Sequence, residues 1–420
     1  MKSFDAQTAY RYMENLAKDI GNRESGTDSE RRAAAQIQAW FEEFGLSSIR
    51  MEEFEVQTSR ILKEEAALSD GTKLECAAVG NSLSTPPEGV EGEVIMLEST
   101  SPEALETIED KIAALNVVLY EKDFHKAIES KPLALIYPSQ TPLAPTIYRS
   151  VRSEWTKKQN IPAVSMAHDD VLSVLKTGKK LRIVTEVEQI AARSQNVTGD
   201  VPGTLEGEDL LVGGHYDTVR TVVGAHDNAA GTAVVLELAR VLSHEKLNRT
   251  LRFAAFGSEE LGLRGSFNYA ETSNHVENLR FYLNLDVHGI LLGTLNAMVL
   301  GPEDLKSLLR FTAKELGIPL KITSELGRGG SDHMPLAFYG VPSISLSRTG
   351  GAAQIMHTEL EDLRWCGSDA FALAGKISQT FLERLAKAAE LPFEKEIPSE
   401  IAKALEKRFA DSGIRRKPHD

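Results

Sequence analysis

Cysteine is nearly absent from this 420-residue chain: Cys76 and Cys366 are its only two, and they lie far apart in sequence. A disulfide framework is thereby excluded as the organising device, and a reducing, cytoplasmic setting is the simpler expectation. Long apolar runs are missing as well. No stretch approaches the roughly 18–20 consecutive apolar residues of a membrane span, so no membrane partner is expected. The opening MKSFDAQTAYRYMENLAKDIGNRES lacks the apolar centre of a secretion signal and reads as an amphipathic helix. Positive charge is in deficit: 47 Lys and Arg against 61 Asp and Glu give a net charge of -14, which argues against a nucleic-acid partner. Internal repeats and low-complexity tracts are absent too.

What remains is ordinary in bulk. A hydrophobic fraction of 42% with 26% charged residues is that of a soluble globular protein. The length exceeds one simple core, so two domains or one domain with a large insertion are expected. Two helices open the chain. The first runs from about residue 6 to 20, with Tyr10, Met13, Leu16 and Ile20 at helical spacing; the second follows the capping signal Asp28-Ser29 and places Ala34, Ile37, Trp40 and Phe41 on one face. Gly45 stops it, and Ile49, Met51, Phe54 and Val56 mark a strand.

From about residue 58 to 188, short apolar runs between Pro-, Gly- and Ser-containing turns read as a self-contained, β-rich inserted domain. After about residue 190, strands such as DLLVGGH, RTLRFAAFG, RFYLNLD, LNAMVLG and PSISLS alternate with helical patterns such as AAGTAVVLELARVLSH and EDLKSLLRFTAKELG. That alternation predicts an α/β fold with a mixed, mostly parallel central sheet and helices on both faces. The expected division is a discontinuous catalytic domain at 1–57 and 189–390, an insertion at 58–188, and a C-terminal helix and tail at 391–420. The apolar positions of that last helix mark either an interface, which would make a homo-oligomer, or a simple dock.

Five residues of metal-ligand type occur in order along the second half. They are His215 in GGHYDTV, Asp227 in GAHDNAAG, Glu260 in FGSEELGLRGS, Asp286 in YLNLDVHG and His357 in MHTELED. Two imidazoles and three carboxylates suit a pair of divalent metals. His215 follows a buried strand, at the carboxyl edge where open α/β sheets build their sites. Asp217, two residues on, is placed to accept its other imidazole N–H. The small residues around Asp227 leave room for close approach of backbone and metal, and Asp227 is expected to open a helix.

Glu259, beside Glu260, is suited to act as a base, because two metals lower the pKa of a bound water from about 15.7 towards roughly 7. Each residue also has a bland counterpart: a loop histidine, a helix N-cap for Asp227, a solvated acidic pair for Glu259-Glu260, an arginine ion pair for Asp286. His226 is expected to line the site without ligating. Taken jointly, the set predicts metal-assisted hydrolysis.

The motifs HYDTV, GAHDNAAG, EELGLRGS, NLDVHG, GGSDHMPLAFYGVP and MHT resemble those of the M28 zinc aminopeptidases over roughly residues 190–390. The resemblance implies a zinc exopeptidase-like fold and an enzyme that removes N-terminal residues from peptides. It implies two zinc ions, replaceable by other divalent metals: His215 and Asp286 on one, Glu260 and His357 on the other, Asp227 bridging. Glu259 would be the general acid and base, and Asp217 would orient His215. The insertion is similar to a protease-associated domain.

Two places depart from the pattern. Where some members carry an oxyanion-binding tyrosine, Arg328 stands here, expected as an electrophile or a clamp for a substrate carboxylate. Where members show an aspartate after the last histidine, Glu361 and Asp362 stand, one of them expected to support the His357 ring. The rivals on the same scaffold are a carboxypeptidase using Arg328 and a glutaminyl cyclase-like, single-zinc member, which the complete ligand set disfavours. A catalytically dead scaffold is disfavoured for the same reason.

Overall fold

The strand Asp209–His215 is buried at every position, because helices cover both of its faces. Leu210 and Val212 pack into one core with Val234 and Leu238 of the helix Ala230–Leu242 and Phe371 and Phe381 of the helix Asp369–Lys387. Leu211 points the other way, into a core with Tyr269 of the helix Arg264–Thr272 and Leu336 of the helix His333–Phe338. This computed structural model describes residues 2–142, 144–327 and 329–416.

Among the described residues, Asp209–His215 lies inside a ten-stranded sheet. Leu251–Phe256 flanks it on one side and Leu279–Leu285 on the other, both parallel to it, and Ser343–Gly350 is parallel to Leu279–Leu285. Gly293–Leu300 and Leu181–Val201 add antiparallel edges to this four-stranded parallel centre. The chain goes from Asp209–His215 first to one neighbour and then to the other, so the carboxyl end of that strand is a topological switch point, where loops diverge and leave a crevice.

The second helix shows how local sequence sets a boundary. It spans Asp28–Phe44 and is capped by Thr27, one residue before the expected signal. The Thr27 hydroxyl accepts the Glu30 N–H (3.3 Å) and the Glu30 carboxylate accepts the Gly26 N–H (2.6 Å). This is a reciprocal box with its return bond shifted by one residue. Gly45 ends the helix at φ 78°, in the left-handed region that costs glycine nothing.

Two long strands, Ser47–Leu68 and Leu181–Val201, pair antiparallel from Ser47–Asp200 to Leu68–Leu181. At about 3.4 Å per residue this ribbon reaches roughly 70 Å. It carries the chain out of the sheet and back.

The part hung on the ribbon is less purely stranded than its sequence suggests. Its five-stranded sheet runs Ala77–Ala78, Ala163–Met166, Ala134–Pro138, Ile112–Leu115, Val94–Leu97, the last four mutually parallel. Parallel neighbours require crossovers, and helices at Pro102–Glu106, Glu121–Glu129 and Ser153–Thr156 lie in them, while His168–Thr177 follows the last strand. Their buried residues (Phe124 and Ala127, Val171 and Val174) make a single i,i+3 step, too short to display a helical period in sequence.

The C-terminal helix Ser399–Asp411 docks on its own chain. Phe409 lies 5.0 Å from the Phe267 ring and 4.9 Å from that of Phe338.

Candidate active site

The predicted ligands converge at the carboxyl edges of the four parallel strands. His215 is the last residue of its strand, and Asp286 directly follows Leu279–Leu285. Glu259 and Glu260 follow Leu251–Phe256 after two residues, and His357 follows Ser343–Gly350 by way of a 3-10 turn at Gly351–Ile355. Asp227 lies before the helix Ala230–Leu242 in extended backbone (φ -122°, ψ 92°), so it does not open the helix as expected. Its carboxylate is thereby free to face the crevice.

Asp227 stands between the two histidines. Its Oδ1 is 3.1 Å from His215 Nε2, and its Oδ2 is 3.1 Å from His357 Nε2. Asp286 Oδ1 is 3.4 Å from His215 Nε2, and Glu260 Oε1 is 3.1 Å from His357 Nε2. Atoms of a type that can bind a metal form two compact groups, His215 with Glu259 and Asp286, and Asp227 with Glu260 and His357. Bonds of about 2.0–2.1 Å to a tetrahedral zinc place neighbouring ligand atoms roughly 3.3 Å apart, which is the spacing seen. Asp286 Oδ1 is buried and accepts no hydrogen bond, an orphan that a cation would satisfy. The residues present therefore fit a divalent metal on each side of Asp227.

The electrostatics agree. Burial opposes ionisation of Asp227, yet the imidazoles of His215 and His357 hold its carboxyl far below the usual range. Burial disfavours the charged imidazoles too, but Glu259 acting on His215, and Glu260 acting on His357, head the carboxylates that push both well above an ordinary histidine. Without metal, the cluster neutralises itself with protons. Cations in the same place would release them, so metal binding here is expected to strengthen as pH rises. The Glu259 carboxyl is pushed well up by burial first, and then by Glu260, Asp332 and Asp286, against the pull of His215.

A scaffold of hydrogen bonds holds these side chains. Asp217, fully buried, accepts the backbone N–H groups of Glu259 (2.9 Å) and Glu260 (3.2 Å) and the Ser25 hydroxyl (3.1 Å). Its Oδ1 is 3.4 Å from His215 Nδ1, an ion-pair spacing longer than a hydrogen bond. Asp217 thus fixes the glutamate pair more firmly than the imidazole ring.

Glu361 corrects a second expectation. Its two oxygens accept the backbone N–H groups of Asp227 (2.9 Å) and His357 (3.2 Å), not the His357 ring, while Asp362 is paired with Arg364. Glu361 lies one short turn beyond His357, so its carboxylate meets backbone amides first. His226 turns Nδ1 to the His288 carbonyl (3.0 Å) and stands outside both ligand groups, as expected of a lining residue. Arg328 lies outside the described residues.

Sequence reasoning missed several supports. Asn228 donates to the Leu285 carbonyl (3.0 Å) and accepts the Val287 N–H (3.1 Å), stitching the Asp227 loop to the strand that ends at Asp286. Arg23, fully buried, donates to the carbonyls of Tyr216, Leu16, Gly21, Val223 and Gly224. Ser258, Val287 and His357 adopt positive φ (54°, 60° and 62°), each at or beside a site residue. Such conformations cost of order 1–3 kcal/mol each and persist only where surroundings enforce them. At His357 part of that enforcement comes from the insertion: Tyr148 donates its backbone N–H to the His357 carbonyl (2.8 Å) and its hydroxyl to Glu359 (2.8 Å).

The chain resembles proteins already characterised. The profile of Peptidase family M28 matches residues 196–382, which hold all five predicted ligands, Glu259 and Asp217. Aminopeptidase YwaD of Bacillus subtilis (strain 168) is 27% identical over 361 residues, 81% of this chain and 75% of that protein. The crystal structure of a zinc aminopeptidase from Bacillus subtilis superposes with a TM-score of 0.75 at 23% identity, covering 95% of this chain and 99% of the other. A glutaminyl cyclase of Porphyromonas gingivalis shares the fold more distantly, with a TM-score of 0.52 at 15% identity over 91% and 98% of the two chains. No helix among the described residues is long and apolar enough to cross a membrane. The match to peptidase family M28 spans residues 196–382, and the cluster of candidate metal ligands lies wholly within that stretch.

Proposed function

We propose that the chain is an aminopeptidase that holds two zinc ions and removes N-terminal residues from peptides by attack of an activated water. The observation that carries this reading is the placement of Asp227, one oxygen 3.1 Å from each histidine, with a further carboxylate beside each imidazole. A bridging carboxylate between two such sets favours two metals over one, and so favours peptide hydrolysis over a single-zinc cyclase.

When bound, the ions supply Lewis acidity for the scissile carbonyl and acidify the attacking water. His215 and Asp286 would hold one ion and Glu260 and His357 the other, with Asp227 between them. Glu259 is held by its backbone N–H on Asp217, which leaves its carboxylate facing the His215 side. Burial and neighbouring carboxylates raise its proton affinity, as suits a group that must take a proton from water and release it to the leaving amine. Asp217 and Glu361 move no protons; they fix the backbone that carries Glu259, Glu260, Asp227 and His357. The insertion, similar to a protease-associated domain, borders one side of the cleft.

The test is a substrate panel with chelation and metal add-back. Aminoacyl anilides should be cleaved, N-blocked dipeptides should not, and metal analysis should return two zinc ions per active chain. Cleavage of N-blocked dipeptides alone, or full activity with one ion, would overturn the reading.

A further inference from the structure

A cavity opens between the insertion and the edge of the metal centre. Its walls include Glu260 and Leu261 from the centre, Glu24 and Arg220 from neighbouring loops, and Arg149 and Ser150 from the insertion. The charges on these walls are not equivalent. Arg220 is paired with Glu64 at 2.7 Å. Glu24 has its carboxyl pushed up to about 7 by burial, against the pull of Arg220.

Arg149 is different. Among the described residues no carboxylate lies within ion-pair distance of it, its Nε is shut from solvent without a hydrogen-bond partner, and its guanidinium rests 5.2 Å over the Tyr137 ring. Burial presses that guanidinium below the ordinary arginine range, and the one ionisable group acting on it is the Tyr137 phenol. An arginine desolvated with no counter-ion is costly to keep, and a planar guanidinium can capture a carboxylate in bidentate fashion. Its backbone neighbour Tyr148 is bonded to the His357 carbonyl, which fixes this cation relative to the metal centre.

We propose that Arg149 binds a carboxylate of the substrate, namely the C-terminal carboxylate of a short peptide, so that the chain prefers small free-acid peptides to longer or blocked ones. This rests on the aminopeptidase reading above. An aminopeptidase substrate is cationic at its N-terminus, so an anion beside the metal centre must come from the leaving portion or from an acidic side chain. The terminal carboxylate follows the scissile carbonyl by about 3.6 Å in a dipeptide, with about as much again for each added residue. Beyond a few residues it is carried past Arg149.

The experiment compares kcat/KM for leucyl di-, tri- and tetrapeptides as free acids and as amides, with wild-type protein and with Arg149→Met and Arg149→Lys at equal metal content. The expected result is that at least one length favours the acid more than tenfold, about 1.4 kcal/mol. In Arg149→Met the acid-to-amide ratio at that length should collapse to within threefold of one, and Arg149→Lys should keep an intermediate ratio. Discrimination below tenfold at every length, or one that survives Arg149→Met, overturns the proposal. Leu-Glu amide against Leu-Gln amide forms a second arm: an Arg149-dependent preference confined to that pair moves the carboxylate to a side chain and overturns the terminal assignment. Should neither acid nor amide be cleaved, the aminopeptidase reading is what fails. The same pairs titrated calorimetrically then decide on Arg149, since an acid preference lost in Arg149→Met supports the carboxylate site and equal binding overturns it.

Discussion

Replacing Tyr148 by Phe isolates the link between the insertion and the metal centre. The substitution leaves the backbone bond to the His357 carbonyl and the buried ring in place, and deletes the hydroxyl that donates to Glu359 at 2.8 Å. A hydrogen bond to a charged acceptor contributes about 1.5–3 kcal/mol when shielded. Glu359 is exposed, so water competes and roughly 1 kcal/mol is the better figure. The loop this bond restrains carries His357 at φ 62°, a conformation that a free chain abandons.

If the restraint helps to hold His357 ready for a metal, about 1 kcal/mol translates into roughly fivefold weaker binding at the position built by Asp227, Glu260 and His357. The position built by His215 and Asp286 is tied to this loop through Asp227, which pairs with His357 and Glu361, and should keep its affinity. The assay is stepwise competition of zinc between the protein and a chromogenic chelator, read as two dissociation constants. A twofold or smaller change at both positions, or an equal loss at both, would refute the reasoning.

Other outcomes follow from the same geometry. Glu259→Gln should retain its zinc and lose turnover by about two to four orders of magnitude; a metal-replete variant with near-normal rate removes Glu259 from the proton path. Glu361→Gln turns an amide donor towards one of the two N–H groups its carboxylate now accepts, which should cost about 1–3 kcal/mol in denaturant unfolding of the metal-free protein. A variant as stable as wild type would show that those bonds are dispensable.

Glu30 is buried beside Ser194, and burial pushes its carboxyl from 4.5 up to about 8. The folded state therefore holds a proton that the unfolded chain gives up. Its contribution is complete below pH 4.5 and is lost as pH rises to about 8, at no more than about 1.4 kcal/mol per pH unit. Unfolding free energies of wild type and Glu30→Gln should diverge across that window in favour of the variant, and parallel curves would exclude the effect.

The parts of this site that sequence discloses are those governed by local rules. LLVGG, inside DLLVGGH, has no polar side chain because its strand is covered on both faces, so His215 announces itself as a strand end. Asp286 does the same after FYLNL, and Glu259-Glu260 after LRFAAF. What stays hidden is whatever depends on partners distant in sequence or on backbone geometry that residue type does not encode. Val287 is β-branched and yet left-handed, and nothing in VHG signals it. Nothing in GNRES marks Arg23, on which five carbonyls from three segments close.

The Glu361 expectation failed for a related reason. An acid four residues beyond a histidine serves its ring only if the intervening turn aims it there. Here the turn closes through Thr358 and Glu361 onto Ile355 and Thr358, and sends the carboxylate to the amides of His357 and Asp227. That outcome is chemically coherent. The His357 Nε2 already lies 3.1 Å from both Asp227 and Glu260, while the backbone amides of two ligands would otherwise be left buried and unpaired, so the carboxylate serves the groups whose neglect costs most.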